Sequence, residues 1–71
     1  MIKVGDIVYI IFDQKIYKGK CDGFEYDRLM SNWFINIKTP DLGKTFEIFG
    51  DIGKTIFFTK EEAEKALGEM K

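Results

Sequence analysis

The chain has no histidine, and only one cysteine (Cys21), one serine (Ser31), one proline (Pro40) and one arginine (Arg28) among its 71 residues. Without histidine, neither a Ser/His/Asp nor a Cys/His nucleophilic device can be assembled within one chain. With one cysteine there is no Cys/His set for zinc, no intramolecular disulfide, and a fit to a reducing cytosol. No apolar run reaches the length of a membrane span, and none of signal length follows a basic start at Met1-Ile2-Lys3-Val4-Gly5-Asp6. A cytoplasmic protein without membrane contact is expected. The formal net charge of −1 supplies no overall field toward nucleic acid or anionic lipid, so any such binding must come from a local patch.

What remains for catalysis is carboxylate pairs. Asp22, Glu25 and Asp27 lie close together, but on a strand such acids face solvent, and acid–base work needs a shielded site that so short a chain seldom builds. A non-enzymatic protein follows, with no catalytic residues, no cofactor and no metal. Gly43-Lys44-Thr45 and Gly53-Lys54-Thr55 each match the end of a phosphate-binding P-loop. That motif also needs a glycine five positions before the Gly-Lys pair and a helix right after it; Lys38 and Ile48 occupy those positions, and a strand follows.

The chain reads as one domain over residues 1–71, with a β-barrel over about 3–58 and a helix over about 60–70. Ile7–Phe12 is an unbroken apolar run and predicts a buried first strand, turning near Asp13-Gln14-Lys15 into a second over Ile16–Tyr26. Gly19 and Gly23 mark places where that second strand bulges or bends sharply. Arg28–Asn32 reads as a loop. Trp33, Ile35 and Ile37 then alternate with Phe34, Asn36 and Lys38 as a third strand that Pro40 stops. Asp41-Leu42-Gly43-Lys44-Thr45-Phe46 is echoed ten residues later by Asp51-Ile52-Gly53-Lys54-Thr55-Ile56, two glycine turns feeding strands over about 44–49 and 54–58.

Thr59 is a helix N-cap, and Glu62 stands where its carboxylate can reach back to the Thr59 amide as a capping box. Ala63, Ala66, Leu67 and Met70 form one apolar stripe, with Gly68 read as a left-handed cap that leaves Glu69–Lys71 frayed. Such a short helix is unstable alone and has to dock. The fold class is mainly β: an SH3-like small barrel or bent five-stranded antiparallel sheet with a C-terminal α-helix. Val4-Gly5-Asp6-x-Val8 with Lys18-Gly19-Lys20 resembles the opening hairpin of SH3-like barrels.

The stretch from Ile52 to Leu67, Ile-Gly-Lys-Thr-Ile-Phe-Phe-Thr-Lys-Glu-Glu-Ala-Glu-Lys-Ala-Leu, resembles the tail of small uncharacterised proteins of Firmicutes and their phages or mobile elements. Their pattern is Gly-Lys-Thr-Val-Phe-Leu-Thr-Lys/Arg-Glu-Glu-Ala-Glu-x-Ala-Leu, from which Ile56 and Phe58 depart conservatively. A weaker similarity lies in Gly5-Asp6-x-Val8-Tyr9. The resemblance implies a cytosolic setting and a mobile-element origin, and brings no established activity.

Aromatic content is the positive hint of function. One tryptophan, three tyrosines and seven phenylalanines compete with many isoleucines for one small interior, so some rings stay on the surface, where they mark a partner site. Tyr9, Tyr17, Tyr26, Trp33 and Phe34 are the candidate partner-binding residues, with Lys18 and Lys20 as rim charges. The expected function is a protein-binding module, and with the resemblance, one that occupies the surface of a host factor such as a defence nuclease. The alternative is a small barrel that binds nucleic acid through the Lys15–Lys20 strand, where lysines surround Tyr17. Homodimerisation through a strand edge or the helix stripe is a third class.

Overall fold

The computed structural model describes residues 1–70. Five strands, β1 (Ile7–Phe12), β2 (Lys15–Asp27), β3 (Asn32–Thr39), β4 (Gly43–Ile48) and β5 (Ile56–Phe57), form one antiparallel sheet in the order β4-β3-β2-β1-β5. A short 3-10 turn, Phe49–Asp51, links β4 to β5, and one helix, α1 (Lys60–Glu69), ends the described chain. The ladder stays open between β4 and β5; half-buried Leu42 and Ile52 pack onto the core with apolar side chains instead.

The β1–β2 hairpin turns through Asp13 and Gln14, both in the left-handed region at φ 52° and 61°, whose twist matches that of the flanking strands. β2 is the organising strand. Its first half, Lys15–Lys20, pairs with β1, and its second half, Lys20–Asp27, pairs with β3. Lys20 alone is in register with both neighbours. A bulge between Cys21 and Gly23 then bends the strand, so the two halves of the sheet fold over one core.

Alternation sends Val8, Ile10, Cys21, Ile35, Ile37 and Ile56 inward, where they are essentially fully buried, joined by Ile2 and partly by Tyr17. β-Branched side chains dominate this interior because they suit a pleated surface. β1 departs from the expectation of a wholly buried strand: Ile7 is exposed because the cover on the outer face reaches only part of it, and Phe12, on the core-lining face, is exposed at the strand's end beyond Ile10. That cover is α1, which packs on β1, β2 and β5. Phe57 lies opposite Tyr9 on the outer face, and is buried in a cleft it shares with Glu62 and Ala66 of the helix. The helix therefore docks on its own sheet, with Ala63 fully buried.

Several boundaries differ from the sequence reading. β5 is two residues long rather than five, because the Asp51–Thr55 turn consumes the segment's start through hydrogen bonds from the Lys54 and Thr55 amides to the Asp51 carbonyl. β4 ends at Ile48, where the chain enters the 3-10 turn. Gly68 is not a left-handed cap; it lies inside α1, whose C-cap is Met70 in the right-handed region. The expectation for Lys71 lies outside the described residues. Thr59 caps the helix as expected, its hydroxyl oxygen accepting from the Glu62 amide at 3.2 Å. The Glu62 carboxylate, however, accepts from the Thr59 hydroxyl at 2.9 Å rather than reaching the Thr59 amide. The echoed turns hold: Gly43 and Gly53 adopt φ 74° and 86°, where a side chain would be strained.

Candidate functional site

The seven candidate residues do not form one site. Tyr17 turns inward and packs against the core. Tyr9 is half-buried on the outer face, directly opposite Lys18 and beside Phe57. Lys18 and Lys20 are exposed on that same outer face, two residues apart. Phe34 is half-buried, facing away from Trp33, and shares a shallow pocket with Glu25, Asp27 and Phe46. Of the aromatic candidates, Tyr26 and Trp33 are the pair brought into ring contact.

These two face each other across β2 and β3, with ring centroids 5.4 Å apart at 60° in an edge-to-face contact. Alternation from Ile35 places them on the core-lining face, beyond the point where the core ends. Trp33 consequently remains 52% exposed and Tyr26 48%. Phe24, in register with Ile35, continues this face and stacks on Phe49 at 5.7 Å and 20°. Trp33, Phe24, Phe49, Met1 and Ile2 line a common hollow of about 490 Å³, which joins the two ring pairs into one platform.

The tip of the β2–β3 hairpin extends it. Asp27 Oδ1 accepts from the amides of Leu29 and Met30 at 2.9 and 3.2 Å, an Asx-type turn that holds the loop, with Ser31 at φ 50°. The turn leaves Leu29 97% exposed and Met30 67% exposed. Leu29 and Met30 are thus apolar side chains presented by an ordered loop, with Arg28 beside them.

Phe24, Phe49, Leu29 and Met30 were not singled out from the sequence. Phe24 follows a bulge that resets alternation, and Phe49 reaches Phe24 from a distant turn. The exposed Leu29-Met30 pair between turn residues was the legible signal.

One carboxylate lies on the platform's own face. Glu47 lies opposite Ile35 on the same face; burial, and secondarily the neighbouring Asp51 charge, push its carboxyl above the usual carboxylate range. Glu25 and Asp27 alternate to the opposite face of β2, where they line the shallow pocket of Phe34 and Phe46. Elsewhere, burial pushes the Cys21 thiol up, leaving it a protonated core residue rather than a nucleophile. Among the described residues no three His, Cys, Asp or Glu side chains are grouped to hold a metal, and no helix is long and apolar enough to cross a membrane. The Oδ1 of Asn36, on the outer face of β3 opposite Phe46, is buried without a hydrogen-bond partner among the described residues.

No family model, no curated protein and no solved structure matches this chain.

Proposed function

We propose that the protein is a non-enzymatic protein-binding module that docks its partner on the platform of Phe24, Tyr26, Trp33 and Phe49, extended by Leu29 and Met30. The carrying observation is the joining of two exposed ring pairs into one apolar surface at the end of a braced hairpin. Rigid aromatic anchors lose little conformational entropy on binding, and Trp and Tyr dominate the energetics of interface centres. Glu47, on the platform's own face, favours a partner segment that is apolar with a basic residue at its margin. The tail resemblance to mobile-element proteins supports the more particular role of occupying a host factor's surface, a defence nuclease being one such factor.

Capture of partners from a bacterial lysate, with and without nuclease treatment, tests this reading. A protein retained after nuclease by the native chain should be lost by Trp33→Ala, which at an interface centre weakens binding roughly 30-fold. Equal retention by Trp33→Ala and Tyr26→Ala, with folding intact, would count decisively against the platform.

A further inference from the structure

The register assigns the outer face of the sheet a feature that strand-by-strand reading does not show. Lys20 on β2 lies directly opposite Lys38 on β3, and Lys38 directly opposite Lys44 on β4. Lys18 projects to the same face two residues before Lys20. All four are exposed, and none of their side chains takes part in a hydrogen bond among the described residues. Adjacent strands are about 4.8 Å apart, so three of these charges lie abreast within roughly 10 Å. Like charges directly opposite one another destabilise a sheet, and two such pairs side by side call for a compensating anion. Lys15, by contrast, falls on the opposite face of β2 by alternation, so the expected Lys15–Lys20 strip is replaced by a row running across strands.

We infer that Lys18, Lys20, Lys38 and Lys44 form a second site, separate from the aromatic platform, that holds the sugar-phosphate backbone of duplex nucleic acid. The row suits a linear, densely charged anion: a duplex carries one charge per about 1.7 Å of its axis. Lys18, Lys20 and Lys38 border an open groove of about 520 Å³ whose other walls include Ile7 and Pro40, with Lys44 outside it on the next strand. One exposed ring, Phe46, stands on the same face two residues beyond Lys44, at the edge strand; Tyr9, beside Lys18, is half-buried. A single ring at one end of the row gives no run of stacking surfaces for the successive bases of a single strand, so contact is chiefly with phosphates, independent of sequence. Of the acids on β2–β4 and their turns, Glu25, Asp27, Glu47 and Asp51 lie toward the other end of the hairpins, while Asp22 and Asp41 flank the row next to Lys20 and Pro40.

The test is binding of a labelled duplex of random sequence to the purified protein, measured by fluorescence anisotropy across a salt series. With four phosphates neutralised, affinity should fall about 100-fold between about 50 and 200 mM salt. Lys38→Gln/Lys44→Gln should reduce that to about 10-fold, as expected for two remaining contacts. Lys54→Gln/Lys60→Gln, with the same net charge, should behave as the native chain. Removing opposed lysines relieves repulsion, so the row variant should melt no lower than the native protein. A salt dependence that the row variant leaves unchanged overturns the assignment. So does displacement of the duplex by polyglutamate of equal charge, which would mark an acidic polypeptide as the ligand, or by millimolar inorganic phosphate, which would mark a single-anion site. The aromatic platform plays no part in this assay, so either proposal can fail alone.

Discussion

Gly19 of β2 lies so close to Ile37 of β3 that a Cβ at position 19 would stand 2.7 Å from the Ile37 Cγ2 methyl. The same atom would meet the Thr39 Cγ2 methyl at 2.9 Å and the Lys38 carbonyl oxygen at 3.0 Å. This contact lies next to Lys20, where β2 passes from β1 to β3, and it marks the close approach of β2 and β3 over the isoleucine core. The glycine is needed for close approach rather than for an unusual backbone conformation.

Gly19→Ala should therefore lower stability by about 1–3 kcal/mol, the usual cost of overpacking, because the opposing atoms include backbone that cannot rotate away. Urea unfolding measures it, and an unchanged midpoint would refute the close-packing account.

Thr59→Ala should lower stability by about 1 kcal/mol through the lost cap on α1. Because Glu62 bonds the Thr59 hydroxyl rather than the Thr59 amide, Glu62→Gln should cost less than the threonine change. Thermal melts of the two variants compare directly, and a larger loss in Glu62→Gln would show that the carboxylate does reach the amide.

Glu47 makes stability depend on pH. Its folded-state carboxyl titrates above the usual range, so between the unfolded and the raised values the folded protein binds more protons than the unfolded chain. Stability then falls as pH rises through that window, and the penalty is complete above it. The decline should be shallower than the roughly 1.4 kcal/mol per pH unit of one whole proton, since the side chain is half in water. Glu47→Gln should flatten the profile and raise stability at neutral pH; identical pH profiles for the two proteins would remove Glu47 as the cause.

What could be read from the sequence depended on how local its cause was. The Asp13-Gln14 turn, the Gly43 and Gly53 turns and the Thr59 cap each rest on side chains within a few residues, and each is present. Gly68 misled because glycine near a helix end signals a cap only when the chain must turn there, and here the helix continues to Glu69. Gly19 was legible as a special position, though its reason, the Ile37 methyl, lies across the sheet.

By itself the sequence determined the class of architecture: a small antiparallel sheet of five strands ended by a capped helix, with no histidine and a lone cysteine to limit its chemistry. Tertiary structure alone decided which exposed groups stand together. Alternation tells which side of its own strand a residue takes, but neighbours across strands are set by register, and register by a bulge at Cys21–Gly23 and by turns far apart in the chain. Hence Trp33 meets Tyr26 but not Phe34, Phe24 finds Phe49, and Lys20, Lys38 and Lys44 line up across three strands.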